Sequence, residues 1–262
     1  MLNNTITLTL LLFAFGACIG SFLNVCIFRI PEKLSIVFPG SFCPICKKEI
    51  PFYCNIPILS YLFLMGRCKH CKSRISFRYP MVELLAGVFT VLLFVKFGLT
   101  AQLFFWMCFV YVLIVISLID LDHQIIPDRI SIPGILIFSS SAVFIPEMSA
   151  VTVLAGIISG GGILYAIAFV YLKFRKKEGM GGGDIKLLAM IGAATGLKGV
   201  LFTLFAGSFM GTFAGIAAMV LTRGCHGQLK IPFGPYLSLG TILYIFFGEG
   251  IIQWYLLTIT GY

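Results

Sequence analysis

Long apolar stretches broken by short polar ones make up most of this chain. The first, from Leu2 to Phe28, exceeds the roughly 20 residues that a helix needs to cross a bilayer. Comparable stretches follow at Pro80–Phe97, Ala101–Leu121, Ile130–Ile145, Ala150–Phe174, Ile185–Leu197, Gly199–Thr222 and Pro235–Ile259. The pattern therefore predicts about eight transmembrane helices. The sixth is short and contains glycine, so it is expected to be tilted or broken where protein encloses its backbone. The first Lys or Arg is Arg29, so the N-terminal stretch lacks the basic n-region of a signal peptide and is expected to be retained. The expected organisation is a first helix over residues 1–28, a polar loop over 29–79 and a seven-helix membrane core over 80–262.

Composition strengthens this reading. Hydrophobic residues make up 59% of the 262 positions and charged residues only 11%, with a mean hydropathy of +1.03. A soluble domain averages about 45–50% apolar and about 25% charged. The 26 Phe and 10 Tyr exclude a disordered chain. The fold class expected is an all-α polytopic membrane protein, with the lipid bilayer as its main partner. Glycines such as Gly160, Gly161 and Gly162, and Gly207 with Gly211, suit close helix packing in lipid.

Charge sets the expected orientation. Nine basic residues lie between Arg29 and Arg78, opposed only by Glu32 and Glu49, which gives this loop a net +7. With that loop cytoplasmic and the N-terminus outside, eight crossings leave only Lys96 and Lys198 outside among the 19 basic residues. The positive-inside rule accounts for the basicity, so no nucleic-acid partner is expected.

The loop holds Cys43-Pro-Ile-Cys46 and Cys68-Lys-His-Cys71, two CxxC pairs 21 residues apart. This is zinc-ribbon spacing: each pair sits on a tight knuckle, and four thiolates close a tetrahedral site with no open position. Zn2+ bound by Cys43, Cys46, Cys68 and Cys71 would be structural. Lys47, Lys48, Lys69 and Lys72 flank the pairs and favour thiolate. A disulfide is disfavoured on the reducing side, and a redox dithiol and His70 as a ligand are the alternatives. Cys18, Cys26 and Cys108 read as packing residues in apolar helices; Cys54 and Cys225 have no evident partner.

Acidic groups in or beside spans mark function by default. Asp120, Asp122 and Asp128 lie at the end of the third predicted helix, and Gly181-Gly182-Gly183-Asp184 opens the sixth. Two crossings separate Asp120 from Asp184, so both reach the same membrane face. Two carboxylates at one semi-apolar site couple their titrations and can share a proton, an arrangement able to activate water and polarise a carbonyl. Water-facing caps and turns are the alternative for these acids, and Asp122 and Asp128 individually keep that reading. Glu83, just inside the second helix, is expected to pair with a loop arginine.

Taken together, these motifs resemble the bacterial type IV prepilin peptidase family over nearly the whole chain. The resemblance rests on Gly20-Ser-Phe-Leu-Asn24-Val with Arg29 and Pro31, the paired CxxC motifs, and Tyr79-Pro80-x-x-Glu83-Leu-Leu. It also rests on Asp120-x6-Pro127-Asp128 and Gly181-Gly182-Gly183-Asp184-x-Lys186. It implies a bacterial inner-membrane aspartic peptidase with Asp120 and Asp184 as the catalytic pair, Asp122 being the competing first acid. It implies prepilin or pseudopilin substrates cut at the cytoplasmic face. It further implies N-methylation of the new terminus from S-adenosylmethionine, a step to which the zinc loop would contribute by offering Arg67, Arg74 and Arg78 to an acidic or carboxylate-bearing partner. No methyl-donor site can be placed from the motifs.

Three other functions compete. A transporter using intramembrane carboxylates would set its acids near mid-membrane and leaves the cysteine loop unexplained. A thiol–quinone redox protein would place its cysteines on the oxidising side. A secretion-machine scaffold would use the zinc loop for docking.

Overall fold

The computed structural model describes residues 2–176, 181–221 and 231–260. Gly179 and Met180 of the second acidic motif, Cys225 and the basic stretch 223–230 lie outside the described residues. The chain is helical almost throughout; among the described residues the only β features are two isolated bridges, Phe42–Glu49 and Arg67–Arg74. It divides into two compact units, Met1–Tyr111 and Val112–Tyr262.

The first unit holds α1 (Leu2–Arg29), the cysteine loop with a one-turn helix α2 (Leu59–Phe63), α3 (Arg78–Phe97) and the beginning of α4 (Ala101–His123). α1 packs along α3. The buried Asn24 fastens the pair: its Nδ2 donates to the Tyr79 carbonyl at 3.1 Å, across 55 residues of sequence. The side chains of Thr90 and Tyr111 meet at 2.6 Å in the apolar interior and satisfy each other there. Trp106 and Phe109 pack edge to face beside them.

The second unit holds the rest of α4, then α5 (Asp128–Phe138), α6 (Ser141–Phe144), α7 (Ala150–Arg175), α8 (Gly182–Leu221), α9 (Gly234–Leu243), a π-helical turn at Tyr244–Gly248 and α10 (Glu249–Thr260). Its most extensive pairing is α7 against α8. The two backbones touch where they cross: a Cβ on Gly156 would run into the Gly192 carbonyl, and one on Gly192 into that of Gly156. Small residues at a crossing allow such close approach in lipid. Away from this seam α7 turns Val151, Leu154, Ile158 and Phe174 outward. An apolar face of that kind is stable against hydrocarbon and costly in water.

Among the described residues, six helices are long and apolar enough to cross a membrane by length and composition. The predicted stretches Ile185–Leu197 and Gly199–Thr222 fall within α8 except for Thr222, which lies outside the described residues; the 40 residues of α8 would extend about 60 Å if straight, twice a bilayer core. It is not straight: Gly196, at φ 66° and ψ −173°, breaks the helix near the end of the first stretch. The predicted Ile130–Ile145 helix is found as two pieces, the 11-residue α5 and the four-residue α6. The last predicted stretch forms α9, the π turn and α10.

Candidate functional site

The acids converge in the Val112–Tyr262 unit, where the end of α4 meets the starts of α8 and α9. Asp120, in the last turn of α4, is only 5% exposed. Its Oδ2 accepts a 2.9 Å hydrogen bond from the backbone N–H of Gly234, the first residue of α9. A helix N-terminus presents unpaired N–H groups and a partial positive charge, so it suits a buried carboxylate. Pro235 follows at the position where its missing N–H and fixed φ favour helix initiation.

Asp184 lies in the first turn of α8, half-buried, with its own N–H closing a 3.2 Å turn onto the Gly181 carbonyl. Ile126, in the short connection after α4, joins the two sides. A Cβ on Gly183 would stand 2.8 Å from the Ile126 Cβ, and one on Gly234 would stand 3.4 Å from its Cδ1. The residue before Asp184 and the donor to Asp120 are thus packed on one side chain. The two carboxyl groups lie within electrostatic range of each other.

The other two acids of the first motif are more exposed than Asp120. Asp122 is exposed. Asp128, at the start of α5, accepts a 2.7 Å ion-paired hydrogen bond from Lys186 of α8. Both members are well exposed, so the bridge is worth about 1 kcal/mol at most. It nonetheless ties the first turn of α5 to that of α8 and so fixes the approach of Asp184. Sequence reasoning missed both Lys186 as a tether and Gly234 as a donor. The Gly-Pro at 234–235 was a legible helix start, but nothing local tied it to Asp120.

The cysteines come together in the Met1–Tyr111 unit. One ligand atom from each of Cys43, Cys46, Cys68 and Cys71 lies within 4.8 Å of all the others, and the Cys43 and Cys71 sulfurs are 3.9 Å apart. A tetrahedral zinc with bonds of about 2.3 Å would set its sulfurs about 3.8 Å apart. The donor set fits such an ion. The two knuckles also repeat each other. Cys43 N–H donates to Lys48 and Lys47 N–H to Cys43, while Cys68 N–H donates to Ser73 and Lys72 N–H to Cys68. Lys47 and Lys72 both adopt positive φ, 58° and 59°.

Backbone N–H groups aimed at sulfur favour thiolate. The Cys46 N–H is the chief cause that lowers Cys43 to about 6, and the Ser73 hydroxyl and N–H lower Cys71. At Cys46 the Lys48 N–H acts downward, but burial and hydrogen bonds to the other three sulfurs prevail and push it up to about 11. Without metal, the cluster thus holds protons that a bound ion would displace. His70 is exposed on its knuckle. Cys26 is buried as a packing residue, whereas Cys18 and Cys108 face outward from their helices.

Glu83 departs from expectation. Its Oε2 accepts a 2.7 Å hydrogen bond from the Ile58 N–H, and Ser21 bonds it from α1; these groups hold it in place of the expected loop arginine. Arg29 is buried too, and donates to the carbonyls of Ser35 at 2.9 Å and Gly40 at 3.0 Å, closing the segment after α1.

Comparison with known proteins follows the same division of the chain. The family model described as the bacterial peptidase A24 N-terminal domain matches residues 14–97, and the type IV leader peptidase family model matches residues 107–216. The chain is similar to the prepilin leader peptidase/N-methyltransferase of Aeromonas salmonicida strain A449, at 35% identity over 95% of this chain and 94% of that one. It is similar to the protein of the same description from Bacillus subtilis strain 168, at 36% identity over 94% and 97%. The Pseudomonas aeruginosa counterpart is 33% identical over 92% and 91%. No solved structure matches the chain.

Proposed function

The chain belongs to the type IV leader peptidase family, and on that premise we propose the reaction that its geometry supports. It is a multi-pass inner-membrane enzyme that removes the leader of a prepilin or pseudopilin and then N-methylates the new terminus. The observation that carries the first step is the convergence of Asp120 and Asp184, from helices 64 residues apart, around Ile126 and the start of α9.

In this reading the deprotonated acid of the pair takes a proton from water as the water oxygen attacks the scissile carbonyl carbon. The protonated acid donates to the carbonyl oxygen. On collapse of the tetrahedral intermediate, its hydroxyl proton returns to the second acid and the first acid gives the proton taken from water to the leaving nitrogen, which releases the leader carboxylic acid and the new amine with no acyl-enzyme. Gly234 N–H acts through Asp120 and is a positioning group. The substrate's apolar helix lies in the bilayer and presents its leader at the ends of α4 and α8. The +7 loop keeps this face cytoplasmic, with the N-terminus outside. A transporter gains no support, because both acids lie in terminal helical turns, not at mid-helix.

Cys43, Cys46, Cys68 and Cys71 would hold a structural Zn2+ that pins the loop. The methyl donor would be S-adenosylmethionine, which supplies an electrophilic methyl group. The new amine would accept that methyl group on nitrogen and lose one proton to water, leaving the donor as the neutral thioether.

Asp120→Asn and Asp184→Asn test the peptidase. Each should abolish leader removal from a purified prepilin while the protein still inserts and retains metal. Wild-type processing by either variant would refute the assignment.

A further inference from the structure

A cavity of about 400 Å³ opens within the Met1–Tyr111 unit, between the C-terminal half of α1, the start of α3 and the cysteine loop. The aspartate pair belongs to the other unit. Its volume falls within the roughly 300–1,000 Å³ of small-molecule sites.

Its charges are unevenly distributed. Glu83 is the sole acid in the wall and is 8% exposed. Two hydrogen-bond donors steady it, the Ile58 N–H and Ser21, but no lysine or arginine pairs with it among the described residues. A buried carboxylate without a counter-charge is costly unless a ligand brings one. The wall also carries Arg29 from the end of α1 and Lys48, Lys69 and Arg74 from the two knuckles. Lys69 already lies over the Tyr53 ring, with Nζ 4.6 Å from its centroid. The rest of the wall is largely apolar, with Phe28 and Phe42 among its rings. Such a site suits a partly apolar ligand that carries both a cationic centre and an anionic group.

The relatives' descriptions pair a peptidase with an N-methyltransferase, and methyl transfer needs a pocket for its donor. S-adenosylmethionine has the required form: an adenine ring, a cationic sulfonium and amine, and a carboxylate. We propose that this cavity is the methyl-donor site, with Glu83 facing the donor's cationic centre and Lys48, Lys69 and Arg74 taking its carboxylate. The proposal rests on the methyltransferase reading above. Cys43 and Cys68 lie in the same wall, so the cysteine cluster builds the pocket as well as the loop.

The test is equilibrium binding of S-adenosylmethionine, its uncharged-sulfur product S-adenosylhomocysteine and decarboxylated S-adenosylmethionine to the purified full-length protein. Glu83→Gln keeps the size and the acceptor for Ile58 but removes the charge. It should weaken S-adenosylmethionine binding about tenfold or more and erase the preference over S-adenosylhomocysteine. Bound zinc and the thermal midpoint report whether the variant is folded. Should it fail to fold, the exposed-rim variant Lys48→Ala/Arg74→Ala decides: it should bind S-adenosylmethionine and its decarboxylated analogue equally, where wild type prefers the former. Unchanged affinity and selectivity in the folded variants overturn the donor site. A wild-type protein that cleaves prepilin yet neither binds S-adenosylmethionine nor methylates the product overturns the methyltransferase reading itself.

Discussion

Gly234→Ala is a one-carbon perturbation whose consequences follow from the geometry. The new Cβ would stand 2.7 Å from Asp120 Oδ2 and 3.3 Å from its Cγ, where ordinary contact begins near 3.4 Å. Carboxylate and helix start must separate by about 0.7 Å. That stretches the 2.9 Å bond from the Gly234 N–H and turns Asp120 away from Asp184. Misplacing a reacting group by about 1 Å can cost about a hundredfold in rate, so leader cleavage should fall by about 10- to 100-fold. Stability should not fall in parallel. Gly234 is not among the positive-φ residues, and alanine is the better helix former by about 0.5–1 kcal/mol. The assay is the initial rate of prepilin cleavage by purified variant and wild type in the same detergent, with thermal unfolding measured alongside. A wild-type rate refutes the positioning role of Gly234. So does a loss of activity that tracks a lowered midpoint.

Three further outcomes are expected. Because Asp122 is exposed whereas Asp120 is buried, Asp122→Asn should keep cleavage within about tenfold, against a loss of about a hundredfold or more for Asp120→Asn; the reverse order in a cleavage assay would reassign the first acid. Bound zinc should persist at neutral pH and be lost progressively on acidification, since protons compete with the ion for all four thiolates; metal analysis after dialysis that finds zinc already lost at neutral pH would contradict this. Finally, Glu147 is raised, first by the hydrogen bond that its protonated form donates to Glu249 and then by the charge of Glu249. A raised acid favours the folded state while protonated, and that contribution is lost as pH rises through its folded value. Glu249→Gln should therefore flatten the fall in thermal midpoint between acid and neutral pH, and an unchanged pH profile would exclude the contact.

Helix positions were legible because apolar runs report the bilayer directly. The expected Ala101–Leu121 and Ala150–Phe174 stretches became Ala101–His123 and Ala150–Arg175. What hydropathy cannot register is a change of direction within an apolar run. The break at Gly196 is a single backbone conformation, and the division of Ile130–Ile145 into α5 and α6 is a local turn without polar punctuation beyond Ser139 and Ser140. The same distinction holds at the sites. Asp120, Asp184 and the four cysteines stood out as costly or chelating groups in identifiable spacings. Gly234 did not, because its contribution is a backbone N–H 114 residues from its acceptor. Glu83 was noticed but given the wrong partner: the donor is the Ile58 main chain, 25 residues away, which no charge pattern encodes.

The account stands on Asp120 and Asp184 acting as one unit, and a double-mutant comparison tests that most directly. Cleavage rates of a purified prepilin should be measured for Asp120→Asn, Asp184→Asn and the protein carrying both, with each product's N-terminus read by mass spectrometry. Groups that act together are strongly non-additive, so each single variant should be as slow as the double. Single losses that multiply in the double variant would mean that the two acids work independently, and would contradict a shared catalytic site.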